Sequence, residues 1–235
     1  MTKITFLSDT HSKHNRIPMA DLPGGDIIIH CGDLTTRGYW EEARDFMRWF
    51  GKLDQYTHKV FIAGNHDFVF EDLPHMVPSI LEIAPSVVYL QDKGVEIEGI
   101  KIYGSPWQPE FYDWAFNLPR NGDQLKEKWM AIPEETDILI THGPPFGKLD
   151  AVPGVGQVRV GCEVLDKVLN DKTLFPKPIA IHAFGHIHCS YGAIPGYDGA
   201  TTHINASCLN EGYFYQNKPI TVEYDKATGK VEFVL

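Results

Sequence analysis

The chain has 235 residues, 43% of them hydrophobic, which is enough to bury a substantial core, while its apolar runs are far too short to span a bilayer. A formal net charge of −10, from 21 basic and 31 acidic side chains, argues against a broad face for extended nucleic acid, whose recognition relies on clustered Lys and Arg. The first strand-like run starts at Lys3, leaving no room for a signal peptide, and Cys31, Cys162, Cys189 and Cys208 form no Cys-x-x-Cys pair, so a soluble cytoplasmic protein with free thiols is expected.

In chain order, short β-branched runs predict buried strands at Ile4 to Leu7 and Ile27 to Ile29. An amphipathic helix follows from Trp40 to Phe50, with Ala43, Phe46, Met47 and Phe50 as its core stripe. The next strand is Val60 to Ala63. Val87 to Tyr103 reads as antiparallel pairs turning at Asp92-Lys93-Gly94 and near Gly99. Ser105 to Arg120 carries two tryptophans and Tyr112 without a regular period, which predicts an ordered loop. Gln124 to Met130 and Glu163 to Asn170 read as helices on either side of a strand at Ile138 to Ile140, and Val152 to Gly161 is a glycine-rich loop. Strands follow at Ile179 to Phe184 and Thr201 to Ser207, then a hairpin of Thr221 to Tyr224 and Lys230 to Val234 turning at Asp225 to Gly229. No repeat, low-complexity tract or linker interrupts the chain, so residues 1–235 are expected to form one α/β domain of layered architecture.

The polar punctuation of these runs carries the chemistry. Asp9 and His11, Asp33 after Gly32, Gly64-Asn65-His66-Asp67, His142 before Gly143, and Gly185-His186-Ile187-His188 each follow an apolar run. They therefore belong at strand ends, where ligands bind in open α/β sheets. Residues i and i+2 of an extended segment project to the same side, so Asp9 with His11, and His186 with His188, address a shared site. Carboxylate, amide oxygen and imidazole without thiolate suit Mn, Fe, Zn, Co or Ni better than Ca or Mg. Seven such ligands exceed one tetrahedral site, and Asp33, lying between the two sets, is the candidate bridge of a metal pair. Glycines before Asp33, Asn65 and His186 permit tight turns and close backbone approach. His30 and His182 lie within strand-like runs and read as core; His14, His58, His75 and His203 have no motif around them.

In this order the clusters resemble the calcineurin-like metallophosphoesterases, whose pattern of Asp-x-His, Gly-Asp, Gly-Asn-His-Asp/Glu, His and Gly-His-x-His appears complete over nearly the whole chain. Ser8-Asp9-Thr10-His11-Ser12, Tyr103-Gly104-Ser105-Pro106-Trp107, Phe116-Asn117-Leu118-Pro119-Arg120 and Thr141-His142-Gly143-Pro144-Pro145 look like the metallophosphoesterase-domain (MPPED-type) subgroup, which is similar to class III cyclic nucleotide phosphodiesterases. The resemblance implies a four-layer α/β/β/α sandwich with two mixed β-sheets. It implies two divalent transition-metal ions, Mn foremost, with Asp9, His11, Asp33 and His188 holding one and Asp33, Asn65, His142 and His186 the other. His66 would be a non-ligand catalytic histidine facing the substrate phosphate, oriented by Asp67 through its other ring nitrogen. Some relatives lose the histidine matching His186; this chain keeps it.

The activity so implied is hydrolysis of small phosphodiesters, cyclic nucleotides among them, by in-line attack of a metal-bridging hydroxide. Two divalent ions with Asp9, Asp33 and a hydroxide leave one positive charge, which one diester anion neutralises and a monoester dianion overshoots. Trp107, to stack on a base, and Arg120, to meet a phosphate, are the candidate substrate contacts, with packing over the sheet edge the favoured reading of the tryptophan, and no membrane partner is expected. The alternatives are a phosphomonoesterase or nuclease on the same metals, or a non-catalytic metal-binding scaffold.

Overall fold

The computed structural model describes every residue except Val155, Gln157, Tyr197, Asp198 and Leu235. Besides two two-residue pairs, Gln108–Pro109 with Asn117–Leu118 and Ala151–Val152 with Val158–Arg159, its strands are β1 (Thr2–Leu7), β2 (Gly25–Cys31), β3 (Tyr56–Ile62), β4 (Val87–Tyr89), β5 (Lys93–Ile97), β6 (Ile100–Ser105), β7 (Ile138–Thr141), β8 (Ile181–Phe184), β9 (Gly192–Pro195), β10 (Thr202–Asn205), β11 (Ile220–Asp225) and β12 (Lys230–Phe233). They form two six-stranded sheets, ordered β12-β11-β1-β2-β3-β4 and β9-β10-β8-β7-β6-β5. Within each sheet four consecutive strands run parallel, β1 to β4 in one and β10, β8, β7 and β6 in the other; antiparallel strands close both edges of the second sheet and one edge of the first, whose other edge is the parallel strand β4.

Strand alternation sorts the apolar residues into layers. Ile4, Phe6, Ile27, Ile29, Val60 and Ile62 of the first sheet meet Ile102, Ile138, Ile140, Ile181 and Ile204 of the second in the central core. The opposite faces point outward. Leu7, Ile28 and Phe61 pack under the helix α1 (Trp40–Gly51) through Ala43, Phe46, Met47 and Phe50, the stripe expected from its spacing. Tyr103 and Leu139 pack under α2 (Asp123–Met130) and α3 (Glu163–Leu169) through Leu125, Trp129, Leu165 and Val168. The result is a sandwich of two mixed sheets between helices. Parallel strands buried on both faces explain why their sequences are continuously apolar.

One expected pairing is corrected. Val87 to Tyr103 is not a run of hairpins: β4 pairs in parallel with β3, and the chain then crosses to the second sheet before β5 and β6 pair antiparallel around Gly99. The turn at Asp92-Lys93-Gly94 is this crossing. Asp92 holds it with a left-handed φ of 51° and a carboxylate that accepts from Ser105 Oγ, Trp107 Nε1 and Lys128 Nζ.

Candidate active site

The ends of β1, β2 and β3 in one sheet and of β7 and β8 in the other lead into the loops that carry Asp9 and His11, Asp33, Asn65 and His66, His142, and His186 and His188. Asp9, His11, Asp33 and His186 all adopt positive φ, 54°, 40°, 56° and 68°. Such left-handed non-glycine residues are strained and concentrate where a surrounding structure holds functional groups in place. Gly64 and Gly185 are needed for close approach, since a Cβ would collide with Asp33 at the first and with Ser8 and Asp9 at the second.

Three groups of side chains place ligand atoms within 4.8 Å of one another: Asp9, His11 and His188; His11, Asp33 and His66; Asp33, His142 and His186. Asp33 belongs to two of them. One oxygen, Oδ2, lies 3.6 Å from His11 Nε2 and 3.3 Å from His142 Nε2, while Oδ1 accepts from the His66 backbone N–H at 2.8 Å. Asn65 Oδ1 is 2.9 Å from the same His142 Nε2. Asp9 accepts from the His186 backbone N–H and, at 2.6 Å, from Ser207 Oγ.

The outward ring nitrogens decide the chemistry of this cluster. His11 Nδ1 faces the Thr35 carbonyl at 3.3 Å, His142 Nδ1 the Cys31 carbonyl at 3.0 Å and His188 Nδ1 the Asn210 carbonyl at 3.1 Å. A carbonyl only accepts, so each Nδ1 carries the proton and each neutral Nε2 presents a lone pair inward. His11 Nε2 and His188 Nε2 then face each other at 3.2 Å, and His142 Nε2 faces two oxygen acceptors. Acceptors confronting acceptors in a buried space demand a proton or a cation between them. A carbonyl behind each imidazole is the arrangement that orients metal-bound histidines. The residues therefore fit divalent cations.

Without a cation, protons fill the role. Burial opposes charge on His142, but Asp33 outweighs it and lifts the imidazole to about 9; burial likewise opposes charge on His188, which Asp9 lifts to about 9. Burial lowers His11 and His186 to about 4. The sign for stability follows. An unfolded imidazole titrates near 6.5, so between pH 6.5 and about 9 the folded chain holds more protons at His142 and His188 than the unfolded chain does. Their stabilisation is complete below that window and lost through it. Urea midpoints of chelator-treated protein should fall from pH 6.5 to 9; midpoints that rise would contradict the pairing of these imidazoles with Asp33 and Asp9.

A profile of calcineurin-like phosphoesterases matches residues 2–190. The chain belongs to the calcineurin-like phosphoesterase family. Metallophosphoesterase domain-containing protein 1 of Homo sapiens is 44% identical over 243 residues, covering 94% of this chain and 71% of its own length. A UPF0046 protein of Caenorhabditis elegans is 37% identical over 238 residues, covering 90% of this chain and 57% of its own length. The crystal structure of TT1561 of Thermus thermophilus shares the fold, with a TM-score of 0.65 at 15% identity over 99% of this chain and 98% of that one. Calcineurin-like phosphoesterase membership and the His/Asp cluster together support a metal-dependent phosphoester hydrolase. Among the described residues, no helix is long and apolar enough to cross a membrane.

Two expectations about this calcineurin-like phosphoesterase site are corrected by the structure. Asp67 does not orient His66: the His66 Nδ1–H donates to the Thr36 carbonyl at 2.8 Å. The Asp67 carboxylate turns the other way, accepting from the backbone N–H groups of Leu34, Thr35 and Gly64 and from Thr35 Oγ1. It pins the segment after Asp33, and so fixes the carbonyl that holds His66. Burial and the nearby Asp33 charge raise its carboxyl to about 7.

The second correction concerns Trp107 and Arg120, whose polar groups are committed elsewhere. Trp107 donates to Asp92 and packs edge-on against Phe116. Arg120 is bound to Glu163 and to the carbonyls of Val160 and Gly161. The tryptophan at the site is Trp114, stacked on His66 with ring centroids 4.1 Å apart. Nothing in the sequence distinguishes it from Trp107, because the loop has no period. Tyr213, likewise unmarked by any motif, sets its ring edge-on to His11 at 4.8 Å and His188 at 5.4 Å. Cys189 contacts the Ala151 carbonyl.

Proposed function

We propose that this protein hydrolyses small phosphodiesters with a pair of divalent cations, Mn²⁺ foremost. Asp9, His11, Asp33 and His188 hold one cation, and Asp33, Asn65, His142 and His186 hold the other. The observation that carries the reading is Asp33, whose carboxylate is shared by two groups of inward-facing acceptors. Such a pair, when bound, lowers the pKa of a water and neutralises the attacking and leaving oxygens of an in-line displacement.

The chain's own residues supply the rest. His66 is held by Thr36 through Nδ1, by the Trp114 stack and by an edge contact with His11 at 4.6 Å, so its Nε2 is left for the substrate. In the protonated form it donates to the leaving oxygen, the role of a general acid. Beside it a cavity lined by Thr36, Arg37, Tyr39, His66, Phe68 and Trp114, of about 440 Å³, accommodates the organic part of the ester. The charge balance of two dications against Asp9, Asp33 and a hydroxide favours a monoanionic diester.

The test is hydrolysis of bis-p-nitrophenyl phosphate and p-nitrophenyl phosphate by chelator-stripped protein, before and after addition of Mn²⁺. Mn²⁺-dependent turnover that favours the diester is expected. Preference for the monoester would replace the reading with a phosphomonoesterase. No turnover with Mn, Fe, Zn, Co or Ni would leave a metal-binding scaffold.

A further inference from the structure

We infer that His30, a buried strand residue outside the ligand set, is a positioning residue that ties the loop bearing Asp9 and His11 to the loop bearing Asp33. The inference rests on the metal-site reading above.

His30 is the penultimate residue of β2 and is fully buried, its ring edge-on to Phe46 at 4.9 Å and Phe50 at 6.3 Å. A polar ring among phenylalanines is destabilising unless its nitrogens are paired. Both are. The Gly32 backbone N–H is 3.3 Å from Nδ1 and can only donate, so Nδ1 is the acceptor and the proton sits on Nε2. That Nε2–H donates to Thr10 Oγ1 at 3.0 Å. Thr10 lies between Asp9 and His11, and Gly32 immediately precedes Asp33.

One neutral ring with a fixed tautomer thus spans two loops whose left-handed residues carry three candidate ligands. Burial holds it neutral, lowering its pKa to about 3. The loops also meet through backbone bonds, Asp9 N–H to Gly32 O at 3.0 Å and His11 N–H to Asp33 O at 3.0 Å, which set their spacing. The two His30 bonds hold that spacing from beneath, one on each loop. His182 in β8 is a contrast: its Nε2 meets Thr141 Oγ1 at 2.8 Å, beside a single ligand loop.

The experiment is isothermal titration calorimetry of Mn²⁺ into chelator-stripped wild type, His30→Leu, His30→Asn, His30→Gln, Thr10→Val and Ile28→Ala, each checked for folding by circular dichroism. His30→Leu should weaken Mn²⁺ binding about 10- to 100-fold, the usual effect of losing a group that orients metal ligands. His30→Asn, which keeps an acceptor for Gly32, and His30→Gln, which keeps a donor for Thr10, should fall between. Ile28→Ala, on the same strand and outer face, removes core packing without touching either loop and should bind as wild type does. Undiminished affinity in folded His30→Leu, or an equal loss in Ile28→Ala, would overturn the inference. Should His30→Leu not fold, Thr10→Val decides: reduced affinity supports the tie and full affinity overturns it. A wild type that binds no divalent cation overturns the metal reading and this inference together.

Discussion

Asp33→Asn is expected to reduce diester turnover by about 10³-fold or more and to weaken cation binding at both halves of the site. The substitution preserves shape and alters only charge and donor pattern. In the native chain Asp33 Oδ2 is the negative atom common to His11 and His142, 3.6 and 3.3 Å from their Nε2 atoms. An amide there is neutral, and its NH₂ group, if it faces inward, donates to the imidazole lone pairs that a cation needs. Metal ions contribute several kcal/mol of charge stabilisation in the transition state, and each ~1.4 kcal/mol is tenfold in rate. Calorimetric stoichiometry and kcat/KM, measured on the same preparation, check the two halves of the expectation. Turnover within tenfold of wild type would remove Asp33 from the role of shared ligand.

His66→Ala should lower kcat by about 10²- to 10⁴-fold, the range for loss of a positioned general acid, while leaving cation binding intact. The two effects are expected to separate because the proposed ligand set leaves His66 out: its Nδ1–H is bound to Thr36 and its ring is stacked on Trp114, which leaves Nε2 to meet the substrate. The size of the effect should depend on the ester. A p-nitrophenolate leaves without help from a proton, so the loss on bis-p-nitrophenyl phosphate should lie at the low end, and the loss on a diester with an alkoxide leaving group at the high end. Equal kcat in wild type and variant on an alkyl diester would sink the assignment of His66 as the acid.

Both expectations draw on side chains that the sequence marks by position and that only the folded chain relates by distance. Short, continuously apolar β-branched runs, each ended by a polar cluster, locate the strands and place Asp9, Asp33, Asn65, His142 and His186 at their ends, because strand propensity is a local property of the chain. The glycines before the clusters are legible for the same reason: they mark where a backbone must pass close to another group. The stripe Ala43, Phe46, Met47 and Phe50 likewise points α1 toward its core.

The partners of the ring nitrogens belong to tertiary structure alone. His66 is oriented by the Thr36 carbonyl and not by its neighbour Asp67. Every residue offers a carbonyl, so a bond to one leaves no compositional trace. The choice between Trp107 and Trp114 is made by how the loop winds, with Ala115 N–H bound to the Asn65 carbonyl and Phe116 N–H to Glu71. The crossing at Asp92 takes the chain from β4, paired with β3, to β5 of the other sheet, a long-range pairing that a turn signal does not encode. His30 shows the division most plainly. Its place in an apolar run identifies it correctly as buried, whereas its bond to Thr10 exists only once β1 and β2 lie side by side. The sequence by itself determined which residues end the strands and are available to a cation; packing of the two sheets decided which atoms of those residues face one another, because hydrogen-bond direction is a property of juxtaposed chains and not of their order.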